Sequence, residues 1–87
     1  MSEGSAAAGT DAGARLPALT LDCLGQRCPL PIIALARQIG NVGRGEVVRV
    51  LADDPAAAND VPAWCRMKGQ VYLGSPEPHA FDVRRVS

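Results

Sequence analysis

The sequence predicts an α/β (α+β) fold, a two-layer sandwich in which a mixed four-stranded sheet carries two helices on one face. Short runs with alternating apolar residues, or rich in β-branched residues, indicate four strands. Two stretches with apolar residues three or four positions apart indicate amphipathic helices. Their order is βαβαββ, and one sheet with both helices on the same side is the most economical packing of that order.

Turn-forming residues and the period of the apolar side chains give the boundaries. In chain order the predicted elements are a strand at 18–22, a helix from 29 to about 39, a strand at 46–52, a short turn at 55–58 followed by a helix that ends at Gly69, a strand at 70–73 and a strand at 80–86. Asp54 is predicted to cap the turn. Asp60 is predicted to cap the helix after it, because Pro62 would interrupt a helix that began at Pro55.

The packing faces follow from the same patterns. Ile32, Leu35, Ala36 and Ile39 are predicted to form the core face of the first helix. The first two strands are joined by a helix, so we expect them to pair in parallel through a right-handed crossover.

Length and composition place the chain in a narrow class. With 87 residues it is predicted to form one small domain, at 18–87, after a disordered tail at 1–17 that is poor in large apolar residues. The net charge is zero, which argues against direct contact with nucleic acid. The three cysteines, with no signal peptide or membrane-spanning run, predict a cytoplasmic protein that does not contact membranes.

Cys28 lies between the first strand and the first helix and is followed by Pro29 and Pro31. Proline is tolerated in the first helical turn, where N–H groups have no intrahelical partner. We therefore predict Cys28 as the N-cap and Pro29 as the first helical residue. The positive end of the helix dipole favours the thiolate, which is the nucleophile. Cys28 is thus interpreted as a reactive thiol rather than as a structural cysteine.

The strand order predicts what surrounds this thiol. Sites in open α/β sheets lie beyond the carboxyl ends of the parallel strands. Cys28 follows the first strand, Asp53 and Asp54 follow the second, and Asp22 ends the first. Carboxylates raise a thiol pKa, whereas the helix terminus and Arg27 lower it, and the sequence leaves that balance open.

Other chemistry finds little support in the sequence. The spacing of Cys23, Cys28 and Cys65, with His79 far downstream, is not that of a zinc site, and we expect neither a metal ion nor a cofactor. Cys65 lies on an apolar helical face and is predicted to be an inert core thiol. One exposed thiol without an evident base suits a carrier better than a stand-alone catalyst.

A series of short motifs runs along the chain: Leu21-Asp22, Gly25, Cys28-Pro29-Leu30-Pro31, Gly45-Glu46, Asp53-Asp54-Pro55-Ala56, Asp60-Val61-Pro62, Trp64-Cys65 and Gly69. In this order the motifs resemble those of the TusA/SirA-like sulfur-carrier family, the CPxP proteins. The resemblance covers the chain from Leu19 to the C-terminus. Gln26 and Gln70 depart from the residues frequent in the family.

The resemblance implies a sulfurtransferase-type carrier that holds sulfane sulfur as a persulfide on Cys28. The implied donor is a cysteine desulfurase or rhodanese-like protein, and the implied acceptor is a cysteine of another protein. Members of the family serve tRNA thiolation, molybdenum-cofactor-linked sulfur supply or sulfur oxidation. We expect a monomer whose partners dock on the rigid surface around the sulfur, formed by Arg27, Pro29, Leu30 and Pro31.

Two other functions remain open at this point. In a small binding or regulatory module, Cys28 would merely cap a helix, and it would then be alkylated slowly under native conditions. In a thiol-redox sensor, Cys28 would need a resolving partner, and Cys23 is the only nearby candidate.

Overall fold

A computed structural model describes residues 16–87, so residues 1–15 of the predicted tail lie outside the described part of the chain. The elements in order are β1 (Leu19–Asp22), α1 (Leu30–Gln38), a 3-10 turn (Ile39–Asn41), β2 (Val47–Leu51), α2 (Ala57–Lys68), β3 (Val71–Gly74) and β4 (Ala80–Arg84). The predicted βαβαββ order is confirmed.

The four strands form one mixed sheet in the order β1-β2-β4-β3. β1 and β2 pair in parallel with Leu19 opposite Val48, and α1 forms the crossover between them. β4 pairs antiparallel to β2 on one side and to β3 on the other. β2 and β4 are therefore the central strands, and the apolar face of the sheet is richest there.

Both helices pack on one face of the sheet, and the core lies between the two layers. Its buried side chains come from all parts of the fold: Cys23, Leu35, Val42, Val48, Val50, Ala52, Ala57, Val61, Trp64, Cys65, Phe81 and Val83. On the opposite face Arg49 and Asp82, paired across β2 and β4, form a two-pronged ion pair with N···O distances of 2.8 and 3.0 Å. β2 and β4 therefore direct alternate side chains to the two faces of the sheet.

The prediction of a helix break at Pro62 is wrong. α2 is one continuous helix with Ala56 at the N-cap, and Asp60 lies inside its first turn instead of capping a second helix. Proline cannot donate to the carbonyl four residues earlier, that of Ala58, but Ala58 is exposed and water can reach it. Val61 and Trp64 are buried on either side of Pro62, so tertiary packing holds the helix together across it.

α1 begins one residue later than predicted. Pro29 is the N-cap, and its carbonyl accepts the first helical bond from the Ile33 N–H at 2.9 Å. Both prolines still occupy positions where the helix needs no N–H donor. A start with Cys28 as the N-cap and a start with Pro29 as the N-cap therefore could not be distinguished from the sequence. The buried face is centred on Pro31 and Leu35, and Ala36, predicted to face the core, is exposed.

Within residues 16–87, no helix combines the length and the apolar character that crossing a membrane would require.

Replacing Cys65 by serine tests the core assignment. Cys65 is 1 % exposed, so Cys65→Ser buries a hydroxyl group and should lower the free energy of unfolding by about 1–3 kcal/mol. Urea denaturation followed by Trp64 fluorescence measures the change. Cys28→Ser, at an exposed position, is the matched control. Equal destabilisation by both variants would contradict the assignment.

Candidate functional site

Cys28 lies at the edge of the sheet where β1 and β2 both end. The loop 23–29 leaves β1 after Asp22, and the loop 52–56 leaves β2 after Leu51. Because the two strands are parallel neighbours, their carboxyl ends lie side by side. The structure therefore brings together Cys28, Asp53 and Asp54, as the strand order predicted.

Two hydrogen bonds from backbone donors to carboxylates tie these loops to each other. The Gly25 N–H donates to Asp53 Oδ1 at 3.0 Å, and the Cys28 N–H donates to Asp54 Oδ2 at 2.7 Å. Gly25 has φ +81, a left-handed conformation that glycine adopts without steric cost. Asp22, also predicted near the site, accepts locally from the Leu24 N–H at 3.1 Å.

Asp54 has a second partner at the start of α2. Its Oδ1 accepts from the Ala56 N–H at 3.0 Å, so it supports the turn before the helix without being the N-cap. The hydrogen bonds from the Cys28 and Ala56 N–H groups, with help from the charge of Arg27, lower the Asp54 pKa below its ordinary value of 3.8. The ionised carboxylate thus joins the thiol loop to α2, a role the capping prediction did not include.

The thiol itself contacts a residue that the sequence analysis assigned elsewhere. Cys28 Sγ donates to Asp60 Oδ2 at 2.8 Å. The predicted break at Pro62 hid this contact, because it placed Asp60 before the helix. One signal pointed to it: Asp60 follows Ala57 by three residues and precedes Trp64 by four, so it shares the helical face of two buried residues.

The sequence left open whether the Cys28 pKa is raised or lowered, and in the structure the neighbouring carboxylates raise it. The hydrogen bond to Asp60 raises the Cys28 pKa above its ordinary value of 9.0. Desolvation and the negative charges of Asp60 and Asp54 add to the rise. The resting group at neutral pH is therefore a thiol, and not the thiolate that the helix position alone predicted.

The surface around the sulfur is open. Cys28 lies in a shallow recess among Pro31, Ile32, Ala57 and two carboxylates, and the recess does not enclose even a water molecule. A wider cleft of about 360 Å³ lies beside it, between Gly25–Arg27 and Asp53–Pro55. Neither holds a small substrate in a closed space above the sulfur.

The other two cysteines are buried and free. Burial raises the pKa of Cys65 to about 11, in keeping with the predicted inert thiol. Burial, with the charge of Asp22, also raises the pKa of Cys23. Among the described residues, no group of three or more His, Cys, Asp or Glu side chains is arranged to hold a metal ion.

Three of the four residues predicted to dock partners are exposed, namely Arg27, Pro29 and Leu30. Pro31 is different, because it is buried and lines the recess that contains Cys28. The exposed apolar surface continues instead to Leu24 and Ile33, which are 49 % and 40 % exposed.

Asp54→Asn tests the bridge between the loops. A carboxyl group with a lowered pKa in the folded state adds stability that is present above its unfolded value, near 3.8. We expect wild type to be the more stable protein near pH 7. The difference in unfolding free energy should shrink as the pH falls through 3.8 towards the lower folded-state pKa. Denaturation series at several pH values measure it, and a difference that does not change with pH would contradict the ionised bridge.

Comparisons with known proteins agree with the geometry. The chain matches the family model described as sulfurtransferase TusA over residues 19–81, which include Cys28, Asp54 and Asp60. It is also similar to the crystal structure of a SirA-like protein from Desulfitobacterium hafniense, with a TM-score of 0.56 and 28% sequence identity, over 75% of this chain and 90% of that one. The expected family and fold are thereby confirmed: the chain belongs to the sulfurtransferase TusA family of sulfur carriers.

Proposed function

We propose that Cys28 accepts sulfane sulfur as a persulfide and relays it to a cysteine of a downstream protein. The observation that carries this proposal is the position of the thiol: of the three cysteines it is the exposed one, at the carboxyl edge of the parallel strands. Membership of a sulfur-carrier family supports the choice of sulfur as cargo.

The transfer needs no oxidant, reductant or cofactor. Cys28 Sγ, after loss of its proton, attacks the outer sulfur of a donor persulfide. A new S–S bond forms, the S–S bond within the donor breaks, and the donor leaves as a thiolate that takes up a proton. Delivery is the same exchange in reverse roles, with the acceptor thiolate attacking the outer sulfur on Cys28.

The open recess suits a protein partner better than a small substrate. An enzyme for a small molecule encloses most of its ligand, whereas here Cys28 is exposed and the recess in which it lies is too shallow to hold a water molecule. We infer that the chain is a carrier whose partners complete the site. The proposed donor is a cysteine desulfurase or rhodanese-like protein, and the chain works as a monomer.

The partner surface that we propose consists of Arg27, Pro29 and Leu30, with Leu24 and Ile33 at its margin. Leu30 and Ile33 lie three residues apart on α1 and are 50 % and 40 % exposed, so they form one apolar strip beside the sulfur. Pro31 is buried and is therefore left out of this surface. An exposed apolar strip next to a reactive group is typical of a protein contact.

We further propose a cytoplasmic setting and a protein acceptor in tRNA thiolation, cofactor sulfuration or sulfur metabolism. The balanced net charge of zero favours delivery to a protein rather than direct contact with tRNA.

Sulfur loading of cysteine variants tests the proposed function. Incubation with a cysteine desulfurase and cysteine should add the mass of a single sulfur atom to wild type and to Cys65→Ser. Cys28→Ser should gain none, because its hydroxyl cannot hold sulfane sulfur. Intact mass without reductant gives the answer, and loss of the added mass on treatment with dithiothreitol confirms a persulfide. The proposal would be contradicted if Cys28→Ser gained as much sulfur as wild type, or if wild type gained none.

Leu30→Ser tests the partner surface. Removal of this half-exposed side chain should slow sulfur transfer from the desulfurase by roughly tenfold, as loss of an apolar contact worth 1–2 kcal/mol does. Loading by glutathione persulfide, which needs no docking surface, should be unchanged. The matched control is Met67→Ser, which removes an apolar side chain that is 72 % exposed. Met67 lies near the C-terminal end of α2, whereas Asp60, which contacts the thiol, lies near its start. Equal slowing by both variants would place the docking surface elsewhere.

A further inference from the structure

Asp60 holds the proton of Cys28 in a specific geometry. The sulfur and Asp60 Oδ2 are 2.8 Å apart, which is hydrogen-bond distance. Asp60 itself is only partly exposed, in the first turn of α2, and its neighbours Ala57 and Val61 are buried. The carboxylate is therefore held by a packed helix and does not reach the sulfur through a flexible loop.

The charges that face the thiol from each neighbouring element are mostly negative. α2 contributes Asp60, and the loop after β2 contributes Asp54, whereas its Asp53 accepts from the Gly25 N–H. The loop of Cys28 contributes Arg27, whose charge acts on Asp54. Asp54 and Asp53 bond backbone N–H groups, so Asp60 is the carboxylate that contacts the sulfur.

We propose that Asp60 is a positioning residue. It keeps Cys28 of the sulfur-free carrier in its protonated, hydrogen-bonded thiol form and so limits attack by small electrophiles and oxidants. The inference rests on the proposed function, because it concerns the thiol that would accept sulfur. Its reactive form is the thiolate, which displaces iodide from iodoacetamide or attacks hydrogen peroxide to give a sulfenic acid and hydroxide. A carboxylate in contact with the sulfur makes that form scarce.

Asp60→Asn tests the proposal, since asparagine keeps the shape and an oxygen acceptor but loses the charge. The readout is the second-order rate of Cys28 modification by two uncharged reagents, iodoacetamide and hydrogen peroxide, between pH 6 and pH 11. We expect the rate near neutral pH to rise by roughly three- to tenfold and the inflection of the rate–pH profile to move to lower pH.

Two controls separate contact from general effects. Asp60→Glu keeps the charge and should stay closer to wild type than Asp60→Asn does. Glu46→Gln removes a carboxylate at the other end of β2 and keeps an amide oxygen for the Gly43 N–H, so it matches the change in net charge. It should leave the profile unchanged. Mass mapping confirms that Cys28 is the residue modified, and a denaturation curve confirms that each variant is folded.

The expected shift in Asp60→Asn alone supports the proposal. An unchanged profile in Asp60→Asn, or the same shift in Glu46→Gln, would overturn it. The proposed function fails separately, if wild type takes up no sulfur from a desulfurase, because the modification rates do not depend on sulfur transfer.

Discussion

Two hydrogen bonds from backbone donors to carboxylates, Gly25 to Asp53 and Cys28 to Asp54, fix the loop that carries the thiol. Between buried Cys23 and buried Pro31 every residue of that loop is exposed, so apolar packing holds it only at its ends. The bonds exist because β1 and β2 are parallel neighbours whose following loops leave at the same edge. The sheet topology therefore positions the sulfur, and the aspartates after β2 hold it there.

Much of this arrangement could be predicted from the sequence, because it depends on chain order. The periods of the strands and helices gave the βαβαββ fold, and parallel pairing brought Cys28 to Asp53 and Asp54. Asp60 was missed for a physical reason. The local preference of Pro62 suggested a helix break, whereas packing of Val61 and Trp64 keeps α2 continuous and directs Asp60 towards the sulfur.

The electrostatic state of the thiol depends on distances that no sequence pattern contains. A helix terminus and Arg27 favour the thiolate, and nearby carboxylates oppose it, so the outcome depends on which group touches the sulfur. Asp60 is the group in contact, because its Oδ2 lies 2.8 Å from the Cys28 sulfur, and its carboxylate favours the protonated thiol. The burial of Pro31 likewise depends on packing between elements. Pro31 and Leu35 lie four residues apart on α1 and are both buried, so they share the helical face that packs on the core.

The central claim is that sulfur is carried on Cys28. Mapping the carried sulfur to a tryptic peptide tests this claim directly. Cleavage after arginine places the three cysteines on separate peptides, 16–27, 28–37 and 50–66. Wild type charged by a desulfurase with radiolabelled cysteine sulfur, capped with iodoacetamide and digested without reductant, should carry its label on peptide 28–37. The label should be released by dithiothreitol. Label on either other peptide, or label that dithiothreitol does not release, would contradict the account.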